Sequence, residues 1–333
     1  MHIIGAQQMN GLDLLTSNLL SPIVLAFALG LVAGFAKSEI ELPEVVLKLI
    51  SIYLLFSIGL KGGAELRDVE LSSILGVLAV TVGLIVAIPV VCFVVLKHLG
   101  RFDAANAAAV AAHYGSVSSV TFLAALNFAS AMGTPAEGYM PAIVALMEWG
   151  VIVALILARL NGATQNHYKD GGLQSVLVDT LRGRGIILLS GGILIGMATT
   201  ERTWSQISPF YVDIFQGVLM LFLIEMGMTA ARQMAGFAKV GWFMAGFGTI
   251  MPVVFGIAGV TLGHWAGMSL GGAFVLGAIA ASASYIDAPA AVRASIPSAN
   301  PGIYLTASLG ITFPFNLLIG LPIYYAYTKW LMG

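Results

Sequence analysis

Apolar residues run through this chain in long blocks, separated by short polar stretches. A helix needs about 20 mostly apolar residues to cross the hydrocarbon of a bilayer. Ten blocks meet or approach that length, at residues 17–36, 45–60, 72–96, 104–128, 138–158, 185–199, 211–231, 240–263, 270–291 and 303–328. The sixth is short. The fourth and ninth are rich in Ala, Gly and Ser, which lowers their hydropathy but lets helix backbones approach closely. Both are therefore predicted to lie inside the bundle. The pattern predicts an all-α integral membrane protein with ten transmembrane helices.

Composition agrees. Of 333 residues, 59% are hydrophobic and 9% charged, against roughly 25% charged in an ordinary soluble domain. A net charge of -1 gives no basic face for nucleic acid. The single cysteine, Cys92, excludes an internal disulfide. The opening MHIIGAQQMNGLDLL lacks a basic segment and a small-residue cleavage site, so no cleaved signal peptide is expected. Ten spans put both termini on one side. Eleven of the 15 Lys and Arg residues fall near the loops that follow odd-numbered spans, and only Lys61, Arg67, Arg202 and Lys329 lie opposite. The positive-inside rule then places the richer side in the cytoplasm and both termini outside.

The two halves resemble each other. FSIGLKGGAELRD (56–68) aligns with IEMGMTAARQMAG (224–236), Gly59 falling on Gly227 at an offset of 168 residues. FDAANAAAVAAHYGSVSSVT (102–121) aligns with MSLGGAFVLGAIAASASYID (268–287), Ser116-x-Ser118 falling on Ser282-x-Ser284 at an offset of 166. Nearly equal offsets are stronger evidence than either match alone. Five spans per half is an odd number, so the second half enters the membrane from the opposite side. The expected organisation is a first five-helix repeat over 1–163, a cytoplasmic linker over 164–182, and a second, inverted repeat over 183–333.

Inverted repeats of this kind recur in secondary transporters, where interrupted helices meet near the midplane and present the positive ends of half-helices to an anion. The segments YGSVSSVT and SASYIDAP are the candidate crossing points. Gly115 is expected to permit unusual backbone geometry, and Pro289 to remove an amide donor and free a carbonyl one turn earlier. Three carboxylates lie within or beside spans: Glu148, Glu225 and Asp287. Buried charge in a membrane is expensive and marks ion or proton paths, or else an acid that ties helices together. His113 reads as a packing residue. The chain has no HExxH, no Cys/His cluster, no P-loop and no paired catalytic acids at recognisable spacing, so neither an enzyme nor an ATP-driven pump is expected. Oxygen ligands without His or Cys suit a hard cation such as sodium, the one ion expected and the only cofactor-like partner.

The stretch AIAASASYIDAPAAVRASIPSANPGIYLTASLGI resembles the sodium-dependent bicarbonate transporters of the SbtA type, most specifically in the run from Arg293 to Pro301. IGLKGG, MGMTAAR and GSVSSVT are also similar, and Glu148 in ALMEWG stands where the family has an aspartate. The resemblance covers nearly the whole chain. It implies a ten-helix inverted repeat assembled as a homotrimer in membrane lipid, importing bicarbonate with sodium as a core domain moves past a scaffold in elevator fashion. It also implies that Gly115, Ser116, Ser118, Ser282 and Ser284 cradle the bicarbonate, with Thr121 and Glu148 as sodium ligands. Glu225 and Asp287 complete the candidate sodium ligands on the intramembrane argument. Family members pair with a PII-like regulator through a longer central loop, so the short 160–185 loop makes that partner doubtful here. The competing readings are a symporter of another small anion, such as a monocarboxylate, and an anion channel.

Overall fold

A computed structural model describes residues 11–40, 42–67, 69–70, 74–163, 178, 182, 184–234, 237–286 and 288–333. The predicted linker lies outside these apart from residues 178 and 182, and so does Asp287. The chain is 82% helix, with no strand among the described residues. Helices α1 (Gly11–Leu19) and α2 (Pro22–Phe35) form one pair bent by 62°. Then come α3 (Glu44–Leu66), α4 (Leu75–His98), α5 (Ala104–Gly115), α6 (Ser119–Ala131), α7 (Met140–Met147) and α8 (Gly150–Leu160). The second half holds α9 (Arg184–Ala198), α10 (Glu201–Met234), α11 (Phe237–Trp265), α12 (Leu270–Ala280), α13 (Ala288–Ser295) and α14 (Pro301–Met332).

Every predicted block contains helix. Among the described residues, however, only 7 spans are long and apolar enough to cross a membrane, with α5/α6 and α7/α8 each counted as one, or 8 if the bent pair is included. The shortfall has a local cause in each case. Helix α9 has 15 residues. Helix α12 has 11, because the ninth block leaves helical geometry after Ala281.

Glycines set the closest approaches. The most extensive pairings are α3 with α9 and α2 with α10. A Cβ on Gly59 would lie 2.6 Å from the Leu189 carbonyl oxygen, and one on Gly192 2.9 Å from the Gly59 Cα. In the other pairing a Cβ on Gly30 would lie 2.0 Å from the Ile224 oxygen, and one on Gly227 2.3 Å from the Phe27 oxygen. Gly59 and Gly227, aligned by sequence, thus do the same job in two different helix pairs. Lipid tails offer no hydrophobic drive for association, so close backbone contact of this sort holds such pairs.

Helices α4 to α8 and α11 to α14 gather around the two interrupted helices. The α5/α6 span is 94% buried and every residue from Gly271 to Ala280 is buried, as their small-residue composition predicts. Large apolar side chains face outward instead from α2 (Leu25, Leu29, Val32), α9 (Leu194, Ile195) and α11 (Ile250, Val254).

Two adjacent glycines of α9 test the packing. Nothing lies within 4 Å of a Cβ on Gly191, whereas Gly192 is pressed against α3. Gly192→Ala should destabilise by about 1–3 kcal/mol through overpacking. Gly191→Ala should be neutral or stabilise by up to about 1 kcal/mol through helix propensity. Thermal melting in detergent reads the difference, and equal midpoints would show that α9 does not meet α3 through this face.

Candidate functional site

At each break a serine hydroxyl accepts an amide from the helix beyond. Helix α5 ends at Gly115, residues 116–118 are non-helical, and the Ser118 Oγ accepts the Thr121 amide at 3.1 Å as the N-cap of α6. In the second half α12 ends, residues 282–284 leave helical geometry, and the Ser284 Oγ accepts the Ala288 amide at 3.4 Å. Ser118 and Ser284, aligned between the halves, therefore both accept an amide from the first turn of the half-helix beyond their break, Ser118 as its N-cap and Ser284 from four residues before Ala288. Helix N-termini carry amides without intrahelical partners and a partial positive charge. Pro289 does not make the break, contrary to expectation. It is the second residue of α13, where an amide donor is not needed.

The two breaks are bonded to each other. The Ser118 amide donates to the Ser282 Oγ at 2.9 Å, and that hydroxyl donates to the Ile279 carbonyl at 2.7 Å. The Ser284 amide donates to the His113 carbonyl at 2.7 Å, and the His113 Nδ1 lies 2.6 Å from the Ser284 carbonyl oxygen. A carbonyl only accepts, so Nδ1 carries the proton. The imidazole also stacks on Tyr304 at 4.6 Å. None of the four serines is more than 3% exposed. His113 is thus a structural member of the site, which its isolated place in the sequence did not indicate.

Glu148 occupies the turn between α7 and α8, is 3% exposed, and accepts a hydrogen bond from the Ser116 hydroxyl. The structure therefore brings Glu148 to the crossing. Gly115 is there too, but not for backbone freedom: the positive-φ glycines are Gly133, Gly162, Gly241 and Gly267. It is required for space: a Cβ on Gly115 would lie 2.9 Å from both the Gly150 carbonyl oxygen and the Pro89 Cβ, and one on Gly150 1.9 Å from the Gly115 carbonyl oxygen. Thr121, 1% exposed, has a hydroxyl with no hydrogen-bond partner. Glu225 makes its contacts within α10, accepting from Arg232 at 2.9 Å and Thr229 at 3.2 Å. Two further residues appear that the sequence did not single out. Asn316, in a π-helical turn of α14, donates to the Ala281 carbonyl at 2.8 Å, and Tyr324 donates to the Asn316 Oδ1 at 2.8 Å.

Cavities flank the crossing. One of about 380 Å³ lies beside Lys61, among α3, α6, α7 and α10, with Asn127, Asp213 and Gln216 in its wall. Another of about 250 Å³ lies beside Arg184, where Glu44, Lys48 and Ser51 of α3 and Thr229 of α10 face Tyr285 and Ile286. The two touch opposite halves of α3. Next to the second of them, the hollow bounded by residues 117–119 and 284–286 has a volume of about 0 Å³.

Apolar helices enclosing two mutually bonded helix breaks, with a cavity on either side, define a multi-pass membrane protein of the transporter class. The chain matches the Na+-dependent bicarbonate transporter superfamily over residues 22–329, nearly its whole length, and belongs to that family. No curated protein matches it. Membership implies bicarbonate and sodium as the transported substrates, and a carrier rather than an enzyme.

The bridge between the breaks is open to test. His113→Phe removes the donor to the Ser284 carbonyl and should destabilise by about 1–3 kcal/mol, the penalty for a buried acceptor left unmade. His113→Asn, whose amide nitrogen can take the Nδ1 position, should retain much of that stability. A His113→Phe variant that melts with the parent would remove the bridge from the account.

Proposed function

We propose that this protein takes up bicarbonate with sodium across a bacterial inner membrane, by alternating access at the crossing of α5/α6 with α12/α13. The observation that carries the reading is that Ser118 and Ser284, at matching places in the two halves, each accept an amide from the first turn of the half-helix beyond one break while their backbones bond to the other break. The ten-span inverted repeat is the architecture we infer, with both termini outside. Gly59 and Gly227 support it, as do the matched pairings of α3 with α9 and α2 with α10. Those four helices form the proposed scaffold, and α4 to α8 with α11 to α14 the moving core, the arrangement of an elevator. Both cavities straddle that boundary. A homotrimer follows from the family resemblance. The absence of open volume in the hollow at the crossing supports a carrier over an open anion channel.

Donor accounting separates the serines. Each hydroxyl has one hydrogen to give. Ser116 commits its hydrogen to Glu148 and Ser282 to Ile279. Ser118 and Ser284 accept from amides, and neither gives its hydrogen to a backbone carbonyl or a carboxylate among the described residues. These two, with the α6 and α13 amides, form the proposed bicarbonate cradle, while Ser116 and Ser282 hold the frame and Gly115 gives α8 room. Glu148, with the Thr121 hydroxyl, is the proposed sodium site.

Labelled-bicarbonate uptake into proteoliposomes tests this, with sodium or choline outside and with competing monocarboxylates. Ser118→Ala and Ser284→Ala should raise the half-saturation concentration for bicarbonate on the order of 10- to 150-fold, the worth of a hydrogen bond to a charged group. Glu148→Gln should raise the half-saturation for sodium instead. Uptake that persists unchanged in choline would end the sodium-symport reading, and stronger competition by a monocarboxylate than by bicarbonate would change the cargo.

A further inference from the structure

Tyr285 borders both the hollow at the crossing and the cavity beside Arg184, a position it shares only with Ile286 among the residues lining the two. It is 8% exposed, and its ring packs against Phe313 with centroids 5.1 Å apart. Its hydroxyl is buried and has no hydrogen bond of good geometry among the described residues. The Ser118 hydroxyl interacts with it.

A buried phenol hydroxyl without a partner is unfavourable unless something else at the site pairs with it. Its surroundings say what that partner is. The hydroxyls of Ser118 and Ser284 accept amides and each still has a hydrogen to give, and the first turn of α6 presents amides. One shared acceptor would satisfy these donors and the phenol together. A small oxyanion with several oxygens satisfies a phenol and two alcohols at once, and charge-assisted bonds of this type are the stronger ones.

We propose that Tyr285 is a specificity-determining residue, whose hydroxyl donates to the bound small oxyanion and whose ring is the wall that separates the crossing from the cavity beside Arg184. The proposal rests on reading the crossing as the anion site and assigns that site a third hydroxyl donor and its door. With the hollow closed, release toward Arg184 requires this ring to move. The hydroxyl then leaves the anion in the same motion that opens the path, so binding and gating share one side chain.

Two substitutions separate these roles. Tyr285→Phe keeps the ring and removes the donor. In proteoliposomes it should raise the half-saturation concentration for bicarbonate roughly 10- to 100-fold, leaving the sodium half-saturation and the maximal rate near those of the parent. Tyr285→Ala removes the wall as well. A cysteine at Val117, in a background with Cys92 replaced by Ala, should then react faster with a small thiol reagent than the same cysteine beside Tyr285. Thermal stabilisation of detergent-solubilised protein by bicarbonate, formate, acetate and nitrate gives a readout independent of transport. Whichever anion protects the parent should protect Tyr285→Phe only at correspondingly higher concentration. A parent protected by another anion, without bicarbonate uptake, would overturn the bicarbonate reading while leaving Tyr285 testable on that anion. A Tyr285→Phe variant that matches the parent in both uptake and anion protection would overturn the role given to Tyr285.

Discussion

The exchange of hydrogen bonds between the two helix breaks is the constraint on which the rest of the structure depends. Non-helical backbone at membrane depth is tolerated only where protein or a water-filled cavity satisfies its amides and carbonyls. Here each break answers the other, through Ser118 to Ser282 and through the paired contacts of His113 and Ser284. Neither segment could be held this way alone. The surrounding features follow from the need to keep this junction dry and paired. The alanine-rich α5 lets neighbours close around it, Gly150 lets α8 press against its end, and Asn316 satisfies the carbonyl at which α12 stops.

Cohesion is unevenly distributed, and that unevenness suits the proposed motion. Close backbone contacts lie inside the proposed scaffold, within α3/α9 and α2/α10, and inside the proposed core, between Gly115 and Gly150. Across the boundary to the core the polar ties are sparser and more local. Gln216 of α10 donates to Asn127 of α6 at 2.5 Å, and Asn18 of α1 donates to the Leu317 carbonyl at 2.7 Å, within a π-helical turn of α14. A few hydrogen bonds can be exchanged during a displacement. A run of interlocked glycines cannot be parted without losing the pair.

The sequence made the helices legible because hydropathy reports membrane depth directly. It made the serine pairs legible because the internal repeat doubled a signal that is weak once. It could not show which face of a helix a residue takes at that depth. Glu225 and Glu148 look alike in the chain, yet one meets Arg232 two turns along its own helix and the other meets Ser116 at the crossing. The Glu225 pairing could have been read from the seven-residue spacing, which returns to the same helix face. His113 could not have been read, since its partner lies 171 residues away. Gly115 was placed correctly and explained wrongly, because a glycine needed for space and one needed for a left-handed backbone are spelled the same.

The two halves also differ at matching positions. Glu148 and Asn316 stand 168 residues apart, the offset that relates Gly59 to Gly227. Each bonds to the residue that caps the interrupted helix of its own half: Glu148 to Ser116 at the end of α5, Asn316 to Ala281 at the end of α12. The two positions have one geometric task and opposite electrostatics. A carboxylate adds a negative charge that a cation can balance, whereas an amide is neutral and offers its own N–H to the carbonyl at the helix end, where a cation would otherwise sit. Under the function proposed above, the coupling ion therefore belongs to the first half of the crossing, while the second half satisfies its helix end internally. The anion needs both halves, because its donors, Ser118 and Ser284, come one from each.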